Sequence, residues 1–244
     1  MGYSISEKFT LDSLGVLFSL LNRLNINFFL DSGTLLKFVR NNHTFIIGSD
    51  IDIGIYEKDI NKIKSFKSLL EMKGFKVKFQ NNFSIFYDYI RIDFPKNYRG
   101  KSKHIDLYIY RNIKNFYVCK RPHKFSKNSL ISKYLVYGIN FLSKKKYKKF
   151  IFLRTLRLTF LTIYNYFGKS IQFKFPEKLL KNQSKVYYKM NEKKVFFNIP
   201  KNYHYYLTYR YSSRWRIPDK NWKSRKEKFI VIDHLRIKDC TFQN

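Results

Sequence analysis

Two aspartates one residue apart, Asp50 and Asp52, stand inside the apolar run DIDIGIY, residues 50–56. Like charges this close repel, and each loses water when buried, so such a pair calls for a positive partner. In an extended segment alternate side chains share a face. Both acids therefore project to one side, and Ile51, Ile53 and Ile55 to the other. The run HIDLYIY, residues 104–110, repeats the design, with Asp106 opposite Ile105, Leu107 and Ile109. If these two strands pair, three carboxylates converge on one patch. Hard oxygen ligands of this kind suit Mg²⁺ or Mn²⁺, which also bind phosphate oxygens. The chemistry that follows is in-line displacement at phosphorus. Asp93 in IRIDF competes with Asp106 for the third place; Asp106 is preferred because its run is longer and free of proline.

Ahead of the acid pair lies SGT, Ser32 to Thr34. A glycine between strand and helix lets backbone N–H groups approach a phosphate without a side chain intervening, and Ser32 and Thr34 can add hydroxyl donors. An isolated D-x-D is most often a solvated turn, and an isolated SGT carries still less. The order strengthens both: strand, glycine turn, helix, acidic strand, then a further aspartate on a later strand.

The elements that must hold these residues follow from periodicity. Leu11, Leu14, Leu17, Phe18, Leu21 and Leu24 recur at helical spacing and predict a helix over about Ser6 to Leu24. A short strand at Asn27 to Leu30, a turn at Ser32-Gly33 and a short helix from Thr34 to Arg40 come next. The strand Asp50 to Tyr56 precedes a helix over about Lys58 to Lys73, closed by Gly74. FKVKFQ, FSIFYDY, IRIDF and HIDLYIY read as short strands, with a hairpin turn at Asn81-Asn82. The fold class is α+β, a mixed sheet framed by helices. A boundary is expected near Arg121 to Asn128, dividing residues 1–122, a catalytic core, from residues 123–244, a mainly helical region that completes the substrate site. In that half a helix is expected over Asn202 to Tyr211, and the tail from Trp215 is polar.

Composition bounds the partners. Hydrophobic residues make up 44% of the 244, enough for a core, and the formal charge is +32. That charge favours anionic surroundings, such as nucleotides, anionic lipid or nucleic acid. Part of it reflects joint enrichment in Lys, Asn, Ile, Phe and Tyr, as an AT-rich genome produces. The chain has 2 cysteines and no zinc spacing, which fits a reducing cytosol. The longest apolar stretch, Phe150 to Phe167, is interrupted by Arg154 and Arg157, so it reads as a core or interfacial helix. The preceding KKKYKK, Lys144 to Lys149, could touch anionic headgroups at the inner face of a membrane.

The arrangement of SGT and D-x-D resembles the DNA polymerase beta-like nucleotidyltransferase superfamily. Within it, SGTLLKFVRNNHTFIIGSDIDIG is similar to the opening motif of the LicD/fukutin family, roughly S-G-T-L-L-G-x-x-R, F-I-P-W and D-D-D-I-D-I-G. The far end, YLTYRYSSRWRIPDKNW, is similar to that family's Y-L-x-x-R-Y-G-x-x-W-x-x-P, and HIDLYIY takes the place of its I-D-I-F strand. Gly48 and Ser49 stand where the family usually has two more aspartates, Ile46 and Ile47 replace Pro-Trp, and Ser212 replaces a glycine. The resemblance implies a nucleotidyltransferase-like fold. It also implies transfer of a substituted phosphate, phosphocholine or ribitol phosphate, from a CDP-activated donor to a sugar hydroxyl of lipopolysaccharide, capsule or teichoic acid. On that basis Asp50, Asp52 and Asp106 hold Mg²⁺ or Mn²⁺ and serve catalysis. Ser32, Gly33, Thr34 and Arg40 line the donor phosphates, and Arg210, Tyr211 and Trp215 close the site. A nucleotidyltransferase using NTP on a small molecule, protein or RNA shares the same metal site and stays open as an alternative. A non-enzymatic nucleic-acid binder is disfavoured, because an acidic patch in the best-patterned region opposes a phosphate backbone.

Overall fold

The computed structural model of the chain describes residues 4–45, 48, 50–79, 89–96, 98–122, 134, 138, 141–142, 150, 152–153, 155–156, 158–160, 169–190, 193–218 and 230–234. The expected strand FSIFYDY, the turn at Asn81-Asn82, the KKKYKK run and the loop residues Ile46, Ile47 and Ser49 fall wholly or largely outside these.

The first helix, α1 (Ile5–Arg23), begins at a capping box: the Ser4 hydroxyl accepts from the Glu7 N–H while Glu7 reaches back to the Ser4 N–H. Its apolar stripe, Leu11, Leu14, Leu17, Phe18 and Leu21, is buried. Next come β1 (Phe28–Leu30), α2 (Ser32–Arg40) and β2 (Asp50–Tyr56). A single 3₁₀ turn (Glu57–Asp59) leads into α3 (Ile60–Met72). This helix ends before Gly74, whose φ of +83° is the left-handed stop that favours glycine. Strands β3 (Lys76–Phe79), β4 (Tyr89–Asp93), β5 (His104–Ile113) and β6 (Phe116–Pro122) complete the first half.

The α+β class expected from the sequence is what the chain adopts. The second half combines helix and strand. Its described residues between 134 and 160 are helical apart from Phe150, in line with the mainly helical expectation. The described residues from 169 onward add strands to these helices. They form β7 (Lys169–Pro176), a one-turn helix α4 (Glu177–Leu180), β8 (Gln183–Met190), β9 (Lys193–Pro200), helix α5 (Tyr203–Tyr211) and β10 (Ile230–His234). KVYYKM and KKVFFNIP alternate inward and outward residues, a period-2 signal that the uniformly high aromatic content obscures.

The strands order as β10-β7-β6-β5-β2-β1-β9-β8, with β4 also pairing β5 and β3 pairing β4. Strands from both ends of the chain thus share one sheet, and β1 and β9 run parallel with Phe29 beside Asn198. On one face Phe28, Leu30, Ile51, Ile53, Ile55, Ile105, Leu107 and Ile109 are buried with the inner sides of α1 and α3. At about 25 cal/mol per Å², such a face is the main drive to assemble the sheet. The other face carries the acids, followed along the strands by Tyr56, Tyr108 and Tyr110. The paired strands β6 and β7 and helix α5 lie against Tyr56 and Tyr110: Tyr117 is 5.1 Å from the Tyr56 ring, and Phe175 is 6.0 Å from the Tyr110 ring and 5.0 Å from the Tyr206 ring.

Candidate active site

Strands β2 and β5 pair in parallel, with Asp52 beside Asp106 and Asp50 beside His104. Register partners point to the same side of a sheet, so Asp50, Asp52 and Asp106 share one face, at the ends of β2 and β5 where both strands begin. Asp93 lies on the same face, opposite His104 on β4, but its carboxylate is paired with Lys78.

Each acid is held differently. Asp52 Oδ2 accepts the Gly33 N–H at 3.1 Å, and Oδ1 accepts the Tyr108 hydroxyl at 3.1 Å. The Asp52 N–H donates to Thr34 Oγ1 at 2.8 Å. The start of α2 is thereby laced to the acidic strand. Asp106, only 8% exposed, has Arg91 Nε 3.3 Å and His104 Nε2 3.4 Å from Oδ1. His104 Nε2 also stands 3.4 Å from Asp50 Oδ1, so the imidazole bridges two of the three acids. Asp50 is the open member, with 52% of its side chain exposed.

Among the described residues no group of three or more His, Cys, Asp or Glu side chains is gathered as a metal site. Asp50 and Asp52 nevertheless have the right chemistry for a hard cation. They offer two carboxylates on one face, one open to solvent, and Mg²⁺ takes one or two protein carboxylates and completes its shell with water and phosphate oxygens.

The remaining expected residues are placed as follows. Gly33 has its N–H on Asp52, and a Cβ there would sit 3.4 Å from Asp52 Oδ2. Ser32, 5% exposed, adopts a left-handed backbone (φ +48°), and its hydroxyl finds no hydrogen-bond partner among the described residues. Arg40 is turned away from the acids. Its Nε donates to the Trp215 carbonyl at 2.6 Å and its Nη2 to the Ile217 carbonyl at 3.1 Å, which fastens the C-terminal turn to α2. Trp215 is buried at 3% exposure, against His204 and Arg216. Tyr211 is buried near both Asp52 and Asp31, and its phenol is pushed up to about 12, chiefly by burial.

Arg210, 3% exposed, reaches a carboxylate that the sequence reading passed over. Asp31, fully buried, caps α2 by accepting the Ser32 N–H at 2.6 Å. It also accepts the hydroxyls of Tyr110 (2.7 Å) and Tyr206, and lies 3.7 Å from Arg210 Nη1. Its own N–H donates to the Asp52 carbonyl at 3.1 Å. Burial by itself would lower the Arg210 pKa; the surrounding Tyr206, Tyr211 and Asp31 outweigh it and keep the guanidinium protonated. The signal for Asp31 was present in the sequence. A charge directly after the apolar FFL and before SGT marks a capping acid at the end of a buried strand. Arg91, His104 and Tyr108 were legible only through register, since each lies on the acid face of β4 or β5.

Glycine 54, the last residue of D-I-D-I-G, is explained by its neighbour across the sheet. A Cβ there would collide with the Phe29 ring, which lies flat over the glycine between Tyr56 and Tyr110.

Residues 25–137 match the family described as LicD/FKTN/FKRP, nucleotidyltransferase domain. Among solved structures, the chain is similar to the solution structure of the antibiotic-resistance factor ANT(2'')-Ia. That match has 12% identity, covers 64% of this chain and 89% of that one, and has a TM-score of 0.34. A crystal structure of ANT(2'')-Ia in complex with adenylyl-2''-tobramycin matches at 14% identity, covering 64% of this chain and 98% of that one, with a TM-score of 0.31. No curated protein matches the chain.

Proposed function

We propose, from the match of residues 25–137 to the LicD/FKTN/FKRP nucleotidyltransferase domain, that the chain belongs to that family and is a transferase of substituted phosphate groups. In this reading it moves a phosphocholine- or ribitol-phosphate-type group from a CDP-activated donor to a sugar hydroxyl of a cell-surface glycan. The observation that carries the reading is the shared face of Asp50, Asp52 and Asp106, with Asp52 beside Asp106 and tied to Gly33 at the start of α2.

The roles follow from that geometry. Asp50 and Asp52, with Asp106 completing the set, would hold Mg²⁺ or Mn²⁺, which supplies positive charge to the donor diphosphate. Asp52 is aimed by the Gly33 N–H and the Tyr108 hydroxyl, so it is oriented before any ligand arrives. Arg91 and His104 fix Asp106 from two sides. The buried Ser32 hydroxyl at the first turn of α2 supports a phosphate contact there, since a buried polar atom without a partner is costly. Arg40 and Arg210 serve the site by joining the C-terminal motif to α2 and to Asp31. Trp215 contributes the carbonyl that Arg40 grips. Action from the cytoplasm at an anionic membrane face fits the charge of +32.

The test is product analysis with CDP-choline, CDP-ribitol and plain NTPs, each with Mg²⁺ and sugar acceptors. CMP release with transfer to the acceptor is expected; pyrophosphate release from an NTP would instead assign nucleotidyl transfer. Asp52→Asn should lower the rate by more than the roughly hundredfold that loss of an outer partner of a metal ligand costs. Full activity in that variant would remove the basis of the reading.

A further inference from the structure

Along α2, Gly33, Lys37 and Arg40 fall on one face, at helical spacings of four and three. Gly33 is occupied with Asp52 and Arg40 with the carbonyls of Trp215 and Ile217. Lys37, between them, lies over Gly48, two residues before Asp50: a Cβ built on Gly48 would collide with Lys37 Nζ. Gly48 itself is pinned there, because the buried Ser102 donates its hydroxyl to the Gly48 carbonyl at 2.7 Å. Ser102 belongs to the loop between β4 and β5, which carries the exposed residues Lys96, Arg99, Lys101 and Lys103 and no acid. Lys101 pairs with Glu7 on α1. Among the described residues, Lys37 takes part in none of the ion pairs, although three carboxylates line the neighbouring face.

We propose that Lys37, seated over Gly48 and bordered by the basic β4–β5 loop, forms an anion subsite at the mouth of the acid pair that binds a phosphate group of the substrate. This rests on the transferase reading and adds a contact to it. Both positions depart from the family pattern, with lysine where that pattern has glycine and glycine where it has an acid, so the contact belongs to this chain. A side chain on Gly48 would displace the ammonium, and an acid there would neutralise it. As the chain stands, the charge is left for a ligand. Asp50, half open to solvent, lies within one strand repeat of Gly48. A ligand held at the acids therefore reaches Lys37 with its next charged group. That group is either the donor's own diphosphate or a phosphate borne by the acceptor.

Calorimetric titration of the full chain separates the sources. CDP with Mg²⁺ probes the donor side. Inorganic phosphate added to CDP-saturated protein probes the acceptor side. Lys37→Gln should weaken one of these by about tenfold or more, the loss expected for a charge-assisted hydrogen bond. Lys37→Arg should retain it. Gly48→Asp should reproduce the loss with the lysine in place, by neutralising it. An unchanged melting temperature in Lys37→Gln keeps a folding defect out of the comparison. Loss of CDP affinity assigns the subsite to the donor, and loss of phosphate affinity alone assigns it to the acceptor. If wild type binds CDP in a Mg²⁺-dependent way and both variants match it with both probes, the subsite is overturned while the transferase reading stands. If wild type binds no CDP with Mg²⁺, the reading itself fails and the subsite with it.

Discussion

At residue scale, two backbone positions show what the sequence motifs are for. Ser212, which follows Tyr211 at the end of α5, has φ +76° and ψ 171°, a region that essentially only glycine tolerates. A glycine would meet this backbone freely, and serine meets it under strain. Ser212→Gly should stabilise the protein by about 1 kcal/mol and raise the melting temperature by about 2–4 °C in a thermal scan. Gly54 is required for a different reason, the Phe29 ring packed onto it. Gly54→Ala should destabilise by about 1–3 kcal/mol through overpacking, read from denaturant midpoints, with β-branched residues worse than alanine. The D-x-D pair was readable because two-residue alternation survives in a single strand. For Asp31 the capping place is legible but the buried pairing is not, because Arg210, Tyr206 and Tyr110 come from far along the chain.

At the scale of elements, α2 is the hinge pin of the site. Its first turn touches Asp52 through Gly33 and Thr34, its cap is Asp31, and its last turn grips the C-terminal turn through Arg40. Helix α5 lies behind it and supplies Arg210. Removing one partner of a buried pair leaves the other charge uncompensated, at a cost of about 3–5 kcal/mol. Arg210→Met should pay that penalty and lower activity with it. The double variant Asp31→Asn with Arg210→Met should recover much of the stability, because the stranded carboxylate is gone; a chemical-denaturation double-mutant cycle measures the coupling. From its motif, Arg210 is expected at the substrate. The structure places it one layer behind, on the acid that caps α2. Helix periodicity could locate α5 but could not say which of its faces turns inward, since YHYYLTYRY is aromatic all round.

At the scale of the whole molecule, the acid site lies in a chain of net charge +32, and its covered side is built from phenols. Tyr110 and Tyr206 are raised well above the ordinary value, Tyr56 is raised too, and Tyr211 is raised to about 12, in each case mainly by burial. A phenol whose folded-state pKa exceeds its unfolded value favours folding while protonated. That contribution is complete below about pH 10, the unfolded value, and is lost as pH rises through the folded-state value. Stability should therefore fall from about pH 10 upward. In an ultraviolet titration, part of the tyrosinate signal should appear only together with unfolding. A titration in which all tyrosines ionise reversibly near the free value would contradict the burial described. Composition announced the tyrosines but not their placement, which depends on β7, distant in sequence, pairing with β6 and bringing Phe175 against Tyr110.

The pairing of β1 with β9 has a consequence for how the molecule comes into being. Phe29 meets Asn198 across the middle of the sheet, and Asp31 waits for a cation made still later, at Arg210. A nascent chain halted at residue 192 would already hold every acid of the proposed metal set, yet Asp31 would be without its counter-charge and β1 would have one open flank. The protein's first half therefore carries the chemistry as a promise that only its last fifty residues can redeem, and a gene fragment bearing the recognisable motif should express as inert, aggregation-prone material.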